Sequence, residues 1–366
     1  MRVVGVGSSN PRLLSGYVAR RLNAALGIET LASELPLGQL VARVQQADPQ
    51  ICHLHFEYRT FGGSFRTLIV LPLFVRRVAR RAKLVVTVHG LVTREAVPGL
   101  SGRISVLVHR TLIRLVARSS QKLVVLSERM RSELASAYGV ENVAVIPHGS
   151  DPVPTGPPPR AGPYLLFFGF TRPSKGIEEL IDAFGLLGAE FPDLQLLIAG
   201  GPAKSYEESF VLSLKQQIAR HPFRDRIRFD NRFIDWAEKD ELARSARIIV
   251  LPYKDRFVEV SGVVHTVAGS GVPIVCSTTP RFDELVEGAE ALHADPTPES
   301  IADAVRRILR DPSLATRLSE GIRAFSQRTS WELVGHEYWE LYRSLVGGAG
   351  ASKADVREAS NPKPNA

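Results

Sequence analysis

Two series of short, apolar, β-branched runs, each run separated from the next by a longer stretch of helical periodicity, fill most of this 366-residue chain. That alternation belongs to parallel sheets covered by helices on both faces, because a parallel pair needs a crossover long enough to hold a helix. In the first series strands are expected at 2–6, 51–56, 83–88, 122–126 and 143–146, with helices at 12–26, 40–46, 64–81, 102–118 and 128–138. A second series starts at 164–168 and continues through 194–199, 226–229, 247–251 and 273–276. Between the two lies SDPVPTGPPPRAGP, whose prolines lack the N–H that a sheet or helix interior requires. The expected architecture is α/β, two Rossmann-like domains facing a cleft. The first spans 1–151, the proline-rich linker 152–163, and the second domain 164–330.

Trp331, Val334, Tyr338, Leu341, Tyr342 and Leu345 form one helical stripe over 331–345, so that helix is expected to pack on something. The segment 347–366 has almost no bulky apolar residue and is expected to be disordered.

Several classes are excluded or disfavoured by composition. The longest apolar run, 67–75, is interrupted at once by Arg76 and Arg77, well short of the roughly 18 residues of a membrane span. The opening MRVVGVGSSN reads as a first strand and not as a signal peptide, which leads to the expectation of a cytoplasmic protein. Cys52 and Cys276 lie far apart in apolar runs, as buried reduced thiols do, and make no zinc or disulfide framework.

The net charge of +8 is unevenly spread: residues 1–150 carry +12 and the remainder −4. Much of the excess sits in FVRRVARRAK and in GRISVLVHRTLIRLVAR. In the latter, Ile104, Leu107, Val108, Leu112, Leu115 and Val116 recur at helical spacing, with Arg103, Arg110, Arg114 and Arg118 between them. Such a helix either turns its apolar stripe to the core or attaches to an anionic membrane surface or an anionic acceptor. No aromatic–basic interleaving points to nucleic acid.

In open parallel sheets, ligands bind beyond the carboxyl ends of strands, where helix N-termini present free N–H groups. After the expected strand 164–168, a loop carries Arg172 and Lys175 into a helix. A bidentate guanidinium, a point charge and a helix dipole together make an anion site. A second such turn, Ser261-Gly262-Val263, follows at some distance, and Glu259 just before it is placed to accept sugar hydroxyls. The Gly7 loop after the first strand is expected to contact ligand, although its glycine spacing is not a dinucleotide fingerprint. His53 and His55 share one face of a strand; packing explains them better than metal, since no carboxylate sits at ligand spacing nearby. The loop HFEYRTFGGSF offers Glu57, Tyr58, Arg59 and Phe61 as acceptor-side residues.

FGFTRPSKGIEELIDAF, SGVVHTVAGSGVPIV about 85 residues later, TVHG and VIPHGSD together resemble the GT-B glycosyltransferases, specifically glycosyltransferase family four, over nearly the whole chain. The resemblance implies a nucleotide-diphosphate sugar held mainly by the second domain and an acceptor held mainly by the first. It also implies metal-independent hexosyl transfer with retention at the anomeric carbon, no cofactor beyond the donor, and a last helix returning to the first domain. Arg172 and Lys175 match the pair that neutralises the donor diphosphate, His89 the histidine beside the donor sugar, and Asn231, Arg232 and Phe233 the strand end that meets the base. Two glutamates frequent in the family fall on Val258 and Thr266. Glu259 is then expected to serve for the first, and Thr266 or Glu284 to contact the ribose. The competing readings are a catalytically silent glycosyltransferase-like subunit that binds membrane or a partner, and a nucleotide-sugar epimerase. Arg172, Lys175 and His89 speak for the transferase.

Overall fold

The computed structural model describes residues 1–10, 14–58, 60–61, 64–152, 162–202 and 208–347. Arg59, most of the proline-rich linker and nearly all of 347–366 lie outside the described residues.

The first unit contains β1 (Val3–Gly7), α1 (Leu14–Leu26), β2 (Glu29–Ala32), α2 (Leu37–Ala47), β3 (Ile51–Phe56), α3 (Ser64–Val78), β4 (Lys83–Val88), β5 (Gly90–Leu91), α4 (Gly99–Ser119), β6 (Lys122–Val125), α5 (Glu128–Glu133) and β7 (Val143–Val145). Six of its strands make a parallel sheet in the order β2-β1-β3-β4-β6-β7. Every residue of β1 and β3 is buried, which is why these strands read as unbroken apolar runs.

The second unit contains β8 (Tyr164–Phe168), α6 (Ile177–Gly188), β9 (Gln195–Ala199), α7 (Glu208–Arg220), β10 (Ile227–Asp230), α8 (Trp236–Ser245), β11 (Ile248–Leu251), β12 (Val258–Glu259), α9 (Gly262–Val267), β13 (Ile274–Ser277), β14 (Leu292–Ala294), α10 (Pro298–Arg310) and α11 (Pro312–Arg328). Its parallel sheet runs β10-β9-β8-β11-β13-β14, so the strand order reverses between β8 and β11. That switch point is where such sheets bind ligands. Both sheets agree with the expected α/β class.

Helix α12 (Trp331–Val346) crosses back to the first unit. Trp331, Val334, Tyr338 and Tyr342 are buried there with Tyr17, Val18, Leu22 and Leu26 of α1 and with the sheet. The Tyr342 hydroxyl meets His53 Nδ1 at 2.6 Å, and the Tyr338 hydroxyl meets Thr87 Oγ1 at 2.9 Å.

Four strands escape the sequence pattern. The edge strand β2 is half exposed and β14 is three residues long, so neither shows a sustained apolar run. The other two, β5 and β12, pair antiparallel with each other and join the two units directly, with Val258 opposite Leu91 and Glu259 opposite Gly90.

The apolar residues of α4 divide between the core and solvent. Its buried residues are Gly102, Val106, His109, Leu112, Ile113 and Val116, whereas Ile104 and Leu107 are 58% and 63% exposed. The helix therefore carries two apolar stripes, one buried and one exposed. No helix of the described residues is long and apolar enough to cross a membrane.

Candidate active site

A cavity of about 840 Å³ lies between the two units, bounded by the carboxyl ends of both sheets. On the second-unit wall, β8 ends at Phe168 and the chain passes through Gly169 to a short turn, Pro173–Lys175. Gly176 then starts α6 with φ +66°, and a Cβ there would lie 1.8 Å from the Pro252 carbonyl oxygen. Only glycine permits both that conformation and that approach. This turn puts Lys175 Nζ 3.4 Å from the centre of the Tyr253 ring, directly at the β8/β11 switch point. Burial, followed by the neighbouring Arg281 guanidinium, holds the Lys175 ammonium well below its ordinary pKa.

Arg172 and Lys175 both line the cavity, together with Ser261, Gly262 and Val263, where the first amides of α9 have no acceptor within the helix. Glu259 lines it too, but its carboxylate is ion-paired with Arg281. Arg281 also holds Asp255, with Nε 2.5 Å from Oδ1. Burial opposes the Arg281 charge, and Glu259 and Asp255 more than compensate.

On the first-unit wall, His89 ends β4 and is 1% exposed. Its backbone N–H donates to the Phe56 carbonyl at 3.0 Å, and its Nε2 is 3.2 Å from His55 Nδ1. Burial and the adjacent His55 ring keep His89 neutral, with a lowered pKa. His89 Nδ1 has no hydrogen-bond partner among the described residues, which leaves one ring nitrogen for a substrate. Glu57, Tyr58, Tyr17 and His109 complete this wall.

Four expectations need correction. Phe61 is fully buried in the first unit's core against Phe74, so it contacts no acceptor. Gly7 pairs with Ala32, accepts from Ser33 N–H at 2.9 Å, and does not line the cavity. Asn231 also stays off the lining, unlike its neighbours Arg232 and Phe233. Glu284 is 3.0 Å from His265 Nε2 and outside the lining, which removes it as a ribose contact. Thr266 lines the cavity, its hydroxyl donating to Val263 O at 2.9 Å. Among the described residues, His, Cys, Asp and Glu form no group of three able to hold a metal ion.

Arg281 and Tyr253 were not singled out in the sequence. Each follows a second-unit strand, β13 and β11 respectively, so reading every strand end for polar side chains would have found them.

Comparison with known proteins settles the family. A model described as "Glycosyltransferase Family 4" matches residues 15–153, and one described as "Glycosyl transferases group 1" matches residues 156–325. The chain belongs to the GT-B glycosyltransferases of the family-four type. This glycosyltransferase is 29% identical over 192 residues to a phosphatidyl-myo-inositol mannosyltransferase of Mycobacterium leprae, covering 51% of this chain and 48% of that protein. It is 26% identical over 224 residues to an alpha-D-kanosaminyltransferase of Streptomyces kanamyceticus, covering 60% and 50%. The chain spans about half the length of the curated relatives it matches. The fold of the glycosyltransferase is shared with Anabaena HepE in complex with UDP and glucose (TM-score 0.73, 19% identity, 94% and 100% covered). A sucrose-phosphate synthase from Thermosynechococcus elongatus shares it as well (TM-score 0.75, 16% identity, 95% and 100% covered).

Proposed function

We propose that this chain transfers a hexosyl unit from a nucleotide-diphosphate sugar, with retention at the anomeric carbon, to a lipid-linked or membrane-associated acceptor. The observation that carries this reading is the facing of Arg172 and Lys175, on the second-unit wall, by neutral His89 on the first. Breaking the bond between sugar and phosphate leaves negative charge on the β-phosphate. Cations and amides already fixed at that point stabilise the transition state more than the bound donor. Arg172 and Lys175 supply the countercharge that a divalent ion provides elsewhere, so transfer is proposed to need none. His89, neutral and held by His55, is suited to hydrogen-bond a donor hydroxyl near the reacting carbon. The β5–β12 bridge ties the two units together beside the cavity, which Gly90, Leu91 and Glu259 line.

Two features support the acceptor class. The mycobacterial relatives are named for mannosyl transfer to phosphatidyl-myo-inositol. In addition, α3 exposes Phe65, Ile69 and Leu73 and the adjoining α4 exposes Leu100, Ile104 and Leu107, near the exposed Arg76, Arg77, Arg80 and Arg81. An apolar face rimmed by arginines suits the surface of an anionic leaflet, where each cation contributes about 1 kcal/mol. A peripheral position on the inner face of a membrane follows from this reading.

The test is thermal stabilisation by UDP, GDP, ADP and their common sugars. A diphosphate at 100 times its dissociation constant adds about 2.7 kcal/mol. A shift with one nucleotide that disappears in Arg172→Ala/Lys175→Ala supports the reading. No shift with any nucleotide favours a silent subunit, a reading that the substituted glutamate positions Val258 and Thr266 would then explain.

A further inference from the structure

Beside the main cavity, on the first-unit side, lies a smaller one of about 400 Å³ lined by Arg94, Arg103, Arg110, Val106 and Leu107. A neighbouring hollow shares Arg94, Val106 and Arg110 with it and reaches the main cavity at Val92, which lines both. Helix α4 organises the arrangement: Ser105 and His109 line the main cavity, while Val106 and Arg110, one position on, line the arginine cavity.

The lining of the arginine cavity contains no carboxylate. Arg94 and Arg103 have no hydrogen bond or ion pair among the described residues. Arg110 is held rigidly, donating to the Ala137 carbonyl and sitting over the Tyr138 ring at 5.7 Å. The Tyr138 hydroxyl donates to Val92 O at 2.8 Å and lies 3.0 Å from His109 Nδ1, which fixes the passage between the two cavities. Glu95 and Glu133 line the neighbouring hollow and not this cavity, and Glu95 faces Arg256 at 3.9 Å.

Three arginines lining one cavity with no carboxylate in its lining leave positive charge uncompensated there, and the group that best satisfies their paired N–H donors is phosphate. The remaining wall is apolar, and it continues into the exposed Leu100 and Ile104. We infer that Arg94, Arg103 and Arg110 bind the phosphate of a lipid head group, its chain lying along Leu100, Ile104 and Leu107 and its polar end directed past Val92 toward His89. The role as acceptor subsite rests on the proposed transferase function; the binding itself does not.

The test is calorimetric titration with dihexanoyl phosphatidic acid, dihexanoylglycerol and inorganic phosphate, each on wild type, on Arg94→Ala/Arg103→Ala and on Arg172→Ala/Lys175→Ala. The phosphatidic acid is expected to bind wild type at least ten-fold more tightly than the other two probes. It should weaken at least ten-fold in Arg94→Ala/Arg103→Ala and stay within two-fold in Arg172→Ala/Lys175→Ala. Both arginines of the first variant are exposed, and an unchanged melting temperature serves as its folding control. Equal binding by wild type and Arg94→Ala/Arg103→Ala overturns the proposal. So does inorganic phosphate binding as tightly as the lipid, which would assign the cavity to a soluble phosphate compound. Phosphatidic acid binding in a protein that ignores every nucleotide would leave this subsite standing and defeat the transferase reading.

Discussion

Glu259 of the second unit lies opposite Gly90 of the first in the antiparallel bridge, and a Cβ on Gly90 would fall 2.6 Å from Glu259 Oε2. The same carboxylate is ion-paired with Arg281, so it is fixed from two sides. Gly90→Ala should push the carboxylate off Arg281 and widen the bridge while leaving the Arg172 and Lys175 turn untouched. Steady-state kinetics with the donor found by the thermal panel should show turnover down about ten-fold, equivalent to about 1.4 kcal/mol in the barrier. Nucleotide affinity should stay within about two-fold. Unchanged turnover would mean that the bridge has no part in the closed, reacting state.

Lys175 is the residue where stability and function should oppose each other. Its folded pKa lies below the ordinary 10.5, so the folded chain binds fewer protons than the unfolded one between the two values. Stability therefore rises with pH across that window, and the buried ammonium costs stability below it. A bound diphosphate reverses the balance by favouring the charged form. Calorimetry at pH 9 in buffers of different ionisation enthalpy should show proton uptake on nucleoside diphosphate binding, absent in Lys175→Met. That variant should gain about 1 kcal/mol in urea unfolding and lose nucleotide binding.

The two sheets were legible because strands such as LVVTV and YLLFF are buried on both faces, and unbroken apolar runs survive no other placement well. The Arg172 and Lys175 turn was legible for a related reason: charge directly after such a run lies at a sheet's carboxyl edge. What stayed hidden depends on distant pairing. Two-residue strands such as β5 and β12 carry no period, so no local pattern announces that Gly90 will meet Glu259. Phe61 was misplaced because an aromatic in a glycine-containing loop looks the same in sequence whether it faces a ligand or the core behind it. The second, exposed stripe of α4 was hidden because periodicity reports an apolar face and not what covers it.

Asp151 ties the two units and the returning helix together. It accepts from the Tyr17 hydroxyl at 2.6 Å and from Arg21 at 2.8 Å, pairs with Lys239 Nζ at 2.9 Å, and lies 3.4 Å from Trp331 Nε1. Burial raises its pKa, but Lys239, Tyr17 and Arg21 outweigh that and leave it below the ordinary 3.8. The stabilisation is thus complete above that value and is lost as pH falls through the depressed one. Lys239 is only 1% exposed and keeps Asp240 Oδ1 at 2.9 Å and the Thr266 carbonyl at 2.7 Å, so Asp151→Ala removes one of its two carboxylate partners and should cost about 2 kcal/mol in urea unfolding at neutral pH. Asp151→Ala/Lys239→Met should recover more than half of that. A double variant no better than the single would show that the packing of Tyr17 and Trp331, and not the charge, is what Asp151 maintains.

Acid should destabilise this chain well above the carboxylate range. His53, His55, His89 and His148 are fully buried and neutral; burial depresses all four, His53 to about 3, and neighbouring imidazoles add to it. In the unfolded chain each takes up a proton near pH 6.5, and in the folded chain it does not. The unfolded state therefore binds more protons below that pH, and stability falls as pH falls. Each group contributes up to about 1.4 kcal/mol per pH unit. Urea unfolding between pH 7.5 and 5 should show a steep decline, and His148→Phe should reduce the slope by one group's share. His148 is a good choice because its ring stacks on His265 at 4.4 Å and its Nδ1 serves only the adjacent Gly149 carbonyl, so an aromatic replacement keeps most of the packing. A midpoint that holds constant across this range would mean that these imidazoles take up protons in the folded chain, and neutral His89 would then be lost from the proposed mechanism.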